Sequence, residues 1–298
     1  MNILIIGSGA LATLFAARLS GAGINVTMLG TWPEGLAALR EGGARLEGDG
    51  DYTVQATNNP ADCRGMKFAL VLVKSWQTER AARQLPDCLA GDGLVVTVQN
   101  GLGNDEILSG VLGPMRVSRG VTTLGATLLA PGFVRSGGEG AVTLEIHPQL
   151  AGLQEMLRAA RFDLRVVEDA QPFVWGKLLV NAAINPLTAL LRVKNGELIA
   201  NQPARELMGE LAQEAASVAK ALGVTLPFSN PERAVEEVAQ RTASNISSML
   251  QDILRGAPTE VDAINGAVVR KGEEKNVPTP VNQMIWSLVK ALSKRGKI

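Results

Sequence analysis

The sequence predicts an α/β protein, a parallel sheet wrapped by helices and followed by an all-helical region, on three observations. Short β-branched runs alternate with helical patterns through the first half of the chain. A glycine-rich turn follows the first of those runs at once. From Asp169 onward the apolar residues recur at helical spacing and strand signal nearly vanishes. At 298 residues the chain exceeds what one hydrophobic core usually fills, so two domains are expected, 1–168 and 169–298.

The first strand is Asn2 to Ile6, apolar along its length as a strand covered on both faces must be. Further strands are expected at Asn25 to Leu29, Phe68 to Val73 and Leu94 to Val98. Gly132 to Arg135 and Ala141 to Ile146 read as a hairpin around Gly137-Gly138, and Leu164 to Val167 as one more strand. In the second half, Asn230-Pro231 supplies the cap and first residue of a helix through Arg233, Val238 and Ile246. Gly223 suits the end of the helix before it, and Gly256-Ala257-Pro258 breaks the pattern ahead of a last helical segment from Thr259.

Gly7-Ser8-Gly9-Ala10-Leu11-Ala12 lies between the first strand and a helix carrying Leu14, Phe15 and Leu19, which makes it a dinucleotide fingerprint of the Rossmann type. The first glycine permits the tight turn, and the second lets a pyrophosphate approach the backbone. The small Ala12 packs helix against strand, while the helix N-terminus offers its partial positive charge. The second strand ends Met28-Leu29-Gly30-Thr31-Trp32, with neither the acid that would bind a ribose hydroxyl nor an arginine for a 2′-phosphate. Thr31 and the Gly30 backbone remain as donors, and Lys74 after the Phe68 strand as a charge.

In Trp175 through Pro186 every residue is apolar or Gly except Lys177, Asn181 and Asn185. Four residues apart, these three fall within roughly an 80° arc of one helix face. Pro186 cannot bond the carbonyl of Ala182 and disfavours helical geometry at Asn185, so a kink is expected there. Asn245 and Ser248 form a second polar cluster at i, i+3 spacing. Glu260, after the Gly256 break, reads from spacing alone as a first-turn acid favoured by the helix dipole.

Lys+Arg and Asp+Glu both number 29 and aromatics are 4%, which leaves neither a basic field nor stacking surface for nucleic acid. No apolar run approaches the ~18 residues that suggest a membrane span, and Ile3-Leu4-Ile5-Ile6 follows the start without a basic leader, so a cytoplasmic protein is expected. Only Cys63 and Cys88 are present, neither with a second Cys nearby in sequence, and His147 is the single histidine. No disulfide framework or Cys/His metal site is expected.

Together these motifs resemble the ketopantoate reductase (2-dehydropantoate 2-reductase) family across almost the whole chain. The series runs Gly7 to Leu11, Leu72-Val73-Lys74-Ser75-Trp76-Gln77, Gln99-Asn100-Gly101-Leu102-Gly103, Gly120-Val121-Thr122-Thr123, Lys177 through Thr188, Asn195-Gly196-Glu197-Leu198 and Asn245 through Asp252. The resemblance implies NADPH-dependent reduction of ketopantoate to D-pantoate, toward pantothenate and coenzyme A. It implies Lys177 as the catalytic lysine and Glu260 as the second catalytic residue, holding the substrate hydroxyl. Asn100, Lys177, Asn181, Asn185, Asn195, Asn245 and Ser248 would surround the substrate. Gly7, Ser8, Gly9, Ala10, Leu11, Thr31, Lys74 and Asn100 would hold the cofactor, with Asn100 touching both ligands between the domains. The family commonly places an arginine where this chain has Gly30-Thr31, which leaves NADH open as an alternative. A homodimer, a reductase of another branched 2-oxo acid, and a non-catalytic NAD(P) sensor also stay open.

Overall fold

A computed structural model describes residues 1–293. The chain divides into two compact units, residues 1–99 with 104–170, and residues 100–103 with those from Gln171 onward.

The strands of the first unit are β1 Asn2–Ile6, β2 Asn25–Leu29, β3 Ala44–Leu46, β4 Gly50–Tyr52, β5 Gln55–Thr57, β6 Met66–Val71, β7 Leu89–Thr97, β8 Val117–Thr122, β9 Ala126–Ala130, β10 Phe133–Ser136, β11 Ala141–Glu145 and β12 Asp163–Val167. Its helices are α1 Ala10–Gly21, α2 Pro33–Gly42, α3 Thr78–Cys88, α4 Asn104–Leu112 and α5 Ala151–Ala159. The large sheet has the order β12-β11-β8-β7-β6-β1-β2-β5. From β5 to β8 every pairing is parallel, and β11 then runs antiparallel to β8. The chain leaves β1 first toward β2 and later toward β6, so the order reverses beside β1. In open α/β sheets such a switch point marks the crevice where ligands bind.

Strand β1 shows why its sequence is unbroken in hydrophobicity. Ile3 and Ile5 join one core, with Phe15, Leu19 and Leu39, while Leu4 and Ile6 join the other, with Leu85 and Leu108. Alternate side chains point to opposite faces, and both faces are covered.

The expected hairpin does not exist. β10 pairs antiparallel with β9 and parallel with β3 in a separate sheet ordered β4-β3-β10-β9, whereas β11 joins the large sheet between β8 and β12. Two strands flanking a Gly-Gly turn look like a hairpin locally, but pairing is decided by edges that the intervening sequence does not reveal. Cys63 and Cys88 are also brought together: both are buried, and their proximity lowers the Cys63 thiol and raises that of Cys88.

The described helices of the second unit are α6 Gln171–Leu191, α7 Glu197–Ala200, α8 Gln202–Ala221, α9 Pro231–Arg241, α10 Ser248–Arg255, α11 Asn265–Glu274 and α12 Pro280–Ser293. Asn230 caps α9 as expected, its side chain accepting from the Arg233 N–H at 2.9 Å. That helix stops at Arg241, well short of Ile246, and Ser247 begins a separate helix by capping α10. By length and composition alone α6 could cross a membrane, but 67% of its most apolar stretch is buried within the protein. It is the central helix of this unit's core, through Trp175, Leu178, Leu179, Ala182 and Leu187.

Helix α6 runs on through Pro186, the position at which the sequence predicts a kink, to Leu191. Proline removes the N–H that would bond the Ala182 carbonyl. That carbonyl instead accepts from Asn265 Nδ2 on α11 at 3.0 Å. Asn265 also donates to Asn282 Oδ1 on α12, and Asn282 Nδ2 donates to the Leu211 carbonyl and to Glu214 on α8. Both Asn265 and Asn282 are fully buried. The missing backbone bond is thus replaced by side chains that tie α6, α8, α11 and α12 together.

This substitution of partners predicts a coupling. Asn265→Ala should cost about 2 to 4 kcal/mol by leaving buried groups unpaired. In a Pro186→Ala background, where a backbone N–H again reaches Ala182, the same change should cost about 1 kcal/mol less. Urea unfolding of the four proteins measures the cycle, and strict additivity would show that Asn265 does not replace the proline's bond.

Candidate functional site

In the first unit the predicted cofactor residues gather at the carboxyl ends of adjacent parallel strands. Gly7 follows β1 with φ +130°, a conformation that side chains rarely adopt, and its N–H bonds the Leu29 carbonyl at 2.8 Å. Gly9 is the N-cap of α1 and is exposed, with nothing within 4 Å of where a Cβ would stand. No side chain caps α1 and no acid occupies its first turn. The uncapped N–H groups and the open space above Gly9 suit an anion as large as a pyrophosphate. Ser8 is buried, and Ala10 and Leu11 are partly exposed at the start of the helix.

Thr31 lies after β2 and Lys74 after β6, both partly exposed. The Gly30 N–H is not available to a phosphate, because it donates to the Thr57 carbonyl at 3.0 Å in extending the sheet. Of the two donors expected there, the Thr31 side chain is the one that the sheet does not use. The Lys74 segment is fixed from below by Gln99, whose Nε2 donates to the Val73 carbonyl at 2.8 Å and to Thr78 Oγ1 at 2.9 Å. Sequence spacing gives no hint of that brace.

In the second unit Lys177, Asn181 and Asn185 project from successive turns of α6. Asn185 is buried, while Lys177 and Asn181 are partly exposed. Glu260 lies ahead of α11, not in its first turn, and its backbone carbonyl accepts from Ala263 and Ile264. Its side chain is 5% exposed and accepts from Asn100 Nδ2 at 3.1 Å. Burial pushes the Lys177 ammonium down to about 8, and the nearby Glu260 carboxylate opposes that fall. The structure thus joins Lys177, Glu260 and Asn100, three residues far apart in sequence.

Asn100 reaches this group from the four-residue segment 100–103. Gly101 has φ +84°, and a Cβ on it would fall 2.5 Å from the Ala263 carbonyl oxygen. The next N–H, of Leu102, bonds that same carbonyl at 3.0 Å. Only glycine allows so close an approach of two backbones.

Of the remaining predicted residues, Asn245 lies between α9 and α10, Ser248 is the first residue of α10, and Asn195 lies between α6 and α7. Asn245 and Ser248 are exposed. Asn195, 8% exposed, donates from its backbone to the Asn245 carbonyl and from Nδ2 to Thr242 Oγ1. Its Oδ1 is buried without a hydrogen-bond partner among the described residues, an acceptor that calls for a donor.

The position of Lys177 predicts its titration. With lysine side chains labelled at Cε, one resonance should follow a proton loss centred near about 8 and should vanish in Lys177→Arg. Glu260→Gln removes the charge that supports the ammonium, so the midpoint should move lower still. A midpoint unchanged by Glu260→Gln would separate the two groups electrostatically.

Comparison with known proteins gives the same pairing of parts. Residues 3–149 match the family model described as ketopantoate reductase PanE/ApbA, and residues 169–293 match its C-terminal counterpart. A 2-dehydropantoate 2-reductase from Archaeoglobus fulgidus is 38% identical, covering 98% of this chain and 97% of that protein. The crystal structure of a PanE/ApbA family ketopantoate reductase from Ralstonia eutropha JMP134 superposes with a TM-score of 0.91 at 30% identity, over 98% of both chains. A D-mandelate dehydrogenase solved with NADH and anilino(oxo)acetate superposes at 0.87 with 25% identity, over 98% of both chains. With both segments matched and full-length relatives at this identity, the chain belongs to the PanE/ApbA ketopantoate reductase family.

Proposed function

We propose that this protein reduces ketopantoate to D-pantoate with a nicotinamide dinucleotide, NADPH in preference to NADH. The observation that carries the reading is the Lys177, Glu260 and Asn100 group at the end of a polar stripe. The family to which the chain belongs and the names of its relatives support the same reaction.

When bound, the nicotinamide supplies hydride to the ketone carbon, which leaves negative charge on the ketone oxygen. Gly7 to Leu11 would hold the pyrophosphate through the uncapped start of α1. Lys177 serves the oxygen in two ways: its positive charge attracts the developing alkoxide, and its Nζ gives up a proton. A value near 8 suits this, since the group is largely protonated at neutral pH yet is a stronger acid than an exposed lysine. Glu260 keeps Lys177 charged, and Asn100 donates to Glu260 and fixes its carboxylate. The stripe asparagines, with Asn245 and Ser248, offer donors to the substrate carboxylate.

The Glu260 carboxylate, which the family resemblance makes the holder of the substrate hydroxyl, favours a substrate with a hydroxyl donor, and ketopantoate carries one at the carbon remote from its acid. Among reductases of related 2-oxo acids this separates ketopantoate from its analogue in which that hydroxymethyl group is methyl. The kcat/KM for ketopantoate should exceed that for the analogue by on the order of 10² or more. Equal values would assign the enzyme to another 2-oxo acid. Binding of the dinucleotide with no turnover of any 2-oxo acid would leave a sensor.

Lys177→Ala should lower turnover by roughly 10² to 10⁴ while leaving cofactor affinity in place. In the parent enzyme the protonated lysine is the active form, so kcat/KM for reduction should hold below about 8 and fall as pH rises through it. Steady-state rates of both proteins across pH 6 to 10 check the assignment, and an undiminished Lys177→Ala rate would remove Lys177 from the chemistry.

For the cofactor, a lysine is a flexible point charge, whereas arginine offers a bidentate fork to a phosphate. With Thr31 in place of that fork, the preference for NADPH should be shallow and NADH should give a measurable rate. Lys74→Ala should reduce the preference further, and Thr31→Arg should tighten NADPH binding in a way that salt weakens. The ratio of kcat/KM for the two cofactors in the three proteins measures this, and an unchanged ratio in Lys74→Ala would show that the lysine does not read the phosphate.

A further inference from the structure

The segment from Thr242 to Ser248 carries Asn245 and Ser248, and its middle is held by the Asn195 and Gly196 N–H groups, which donate to the Asn245 and Ala243 carbonyls. Its two ends are held by side chains. At one end, Thr242 Oγ1 donates to the Val238 carbonyl at 2.8 Å and accepts from Asn195 Nδ2 at 2.9 Å. At the other end, Ser247 caps α10 by accepting from the Leu250 N–H at 3.1 Å.

Ser247 is itself held by Thr188 on α6, their hydroxyl oxygens lying 2.6 Å apart. Thr188 is fully buried and Ser247 is 6% exposed, so water does not serve these groups. Thr188 Oγ1 also lies 2.9 Å from the Asn185 carbonyl oxygen, which can only accept. A hydroxyl has one proton, so Thr188 gives its proton to Asn185 and must accept the proton of Ser247. The chain then has one direction: Leu250 N–H to Ser247, Ser247 to Thr188, Thr188 to the Asn185 carbonyl. Each donor is used once, and the chain ends on the backbone of a residue of the polar stripe.

We infer that Thr188 is a positioning residue that locks the Asn245 and Ser248 segment to α6 and so sets the affinity for the 2-oxo acid. Without its hydroxyl, Ser247 loses the acceptor for its proton in a buried place, and the cap it gives α10 loosens with it. Ser248 is the first residue of α10, so its orientation follows the cap. The inference rests on the proposed reaction for its substrate arm alone.

Thr188→Val removes the hydroxyl at nearly constant shape, and Thr188→Ser keeps it. Thr188→Val should raise the KM for ketopantoate on the order of ten-fold and leave the KM for NADPH within about two-fold. Thr188→Ser should restore the parent value, and Ser247→Ala should add little to Thr188→Val because both break one chain. Amide hydrogen exchange of the folded protein, read on peptides covering residues 242–255, should quicken in Thr188→Val and recover in Thr188→Ser. An unchanged KM for ketopantoate in Thr188→Val, equal losses for acid and cofactor, or unchanged exchange would each overturn the inference. If the parent turns over no 2-oxo acid, the proposed reaction falls, and the exchange of residues 242–255 alone decides whether Thr188 holds the segment.

Discussion

A proline in the middle of the central helix of the second unit is the constraint on which the candidate site depends. Lys177, Asn181 and Asn185 share a face only while α6 keeps helical spacing, and Pro186 takes away the backbone bond that would close the Ala182 turn. Leaving that carbonyl unpaired in a core would cost on the order of 1 to 3 kcal/mol. Asn265 meets the need, and Asn282 and Glu214 extend the bond into a network across four helices. Glu214 accepts from the backbone N–H groups of Val281 and Asn282 as well, which fixes the start of α12. The polar stripe and the core packing around it are therefore stabilised by one set of buried hydrogen bonds.

Two opposed effects act on the amine of Lys177. Removing an ammonium from water disfavours its charge, and a neighbouring carboxylate favours it. At Lys177 burial prevails in part, which leaves the group near about 8. Without Glu260 the Lys177 ammonium would lie lower still. Asn100 adds a hydrogen bond to Glu260 from a short segment, whose approach to Ala263 is possible because residue 101 is glycine.

In the first unit the start of α1 is open and carries no acid. Parallel strands place their carboxyl ends on one edge, and the order reverses beside β1. The turn at Gly7 then starts α1 with its amides uncapped. The same sheet consumes the Gly30 N–H, which donates to the Thr57 carbonyl.

Local periodicity determined much of this protein. The unbroken apolar run of β1, the glycine turn before α1, the Asn230 cap and the stripe of Lys177, Asn181 and Asn185 are all written in residues no more than a few positions apart, and short-range sterics and hydrogen bonding suffice to decide them. What tertiary structure alone decided is which distant group meets each unsatisfied one. Glu260 has the spacing of an ordinary helix-dipole acid until Asn100 and Lys177 are brought to it. Pro186 looks like a helix breaker until Asn265 takes its carbonyl partner. The Gly137-Gly138 turn looks like a hairpin until β10 and β11 find different sheets. In each case the local sequence poses a hydrogen-bonding demand that several partners could meet, and only the packed chain selects one.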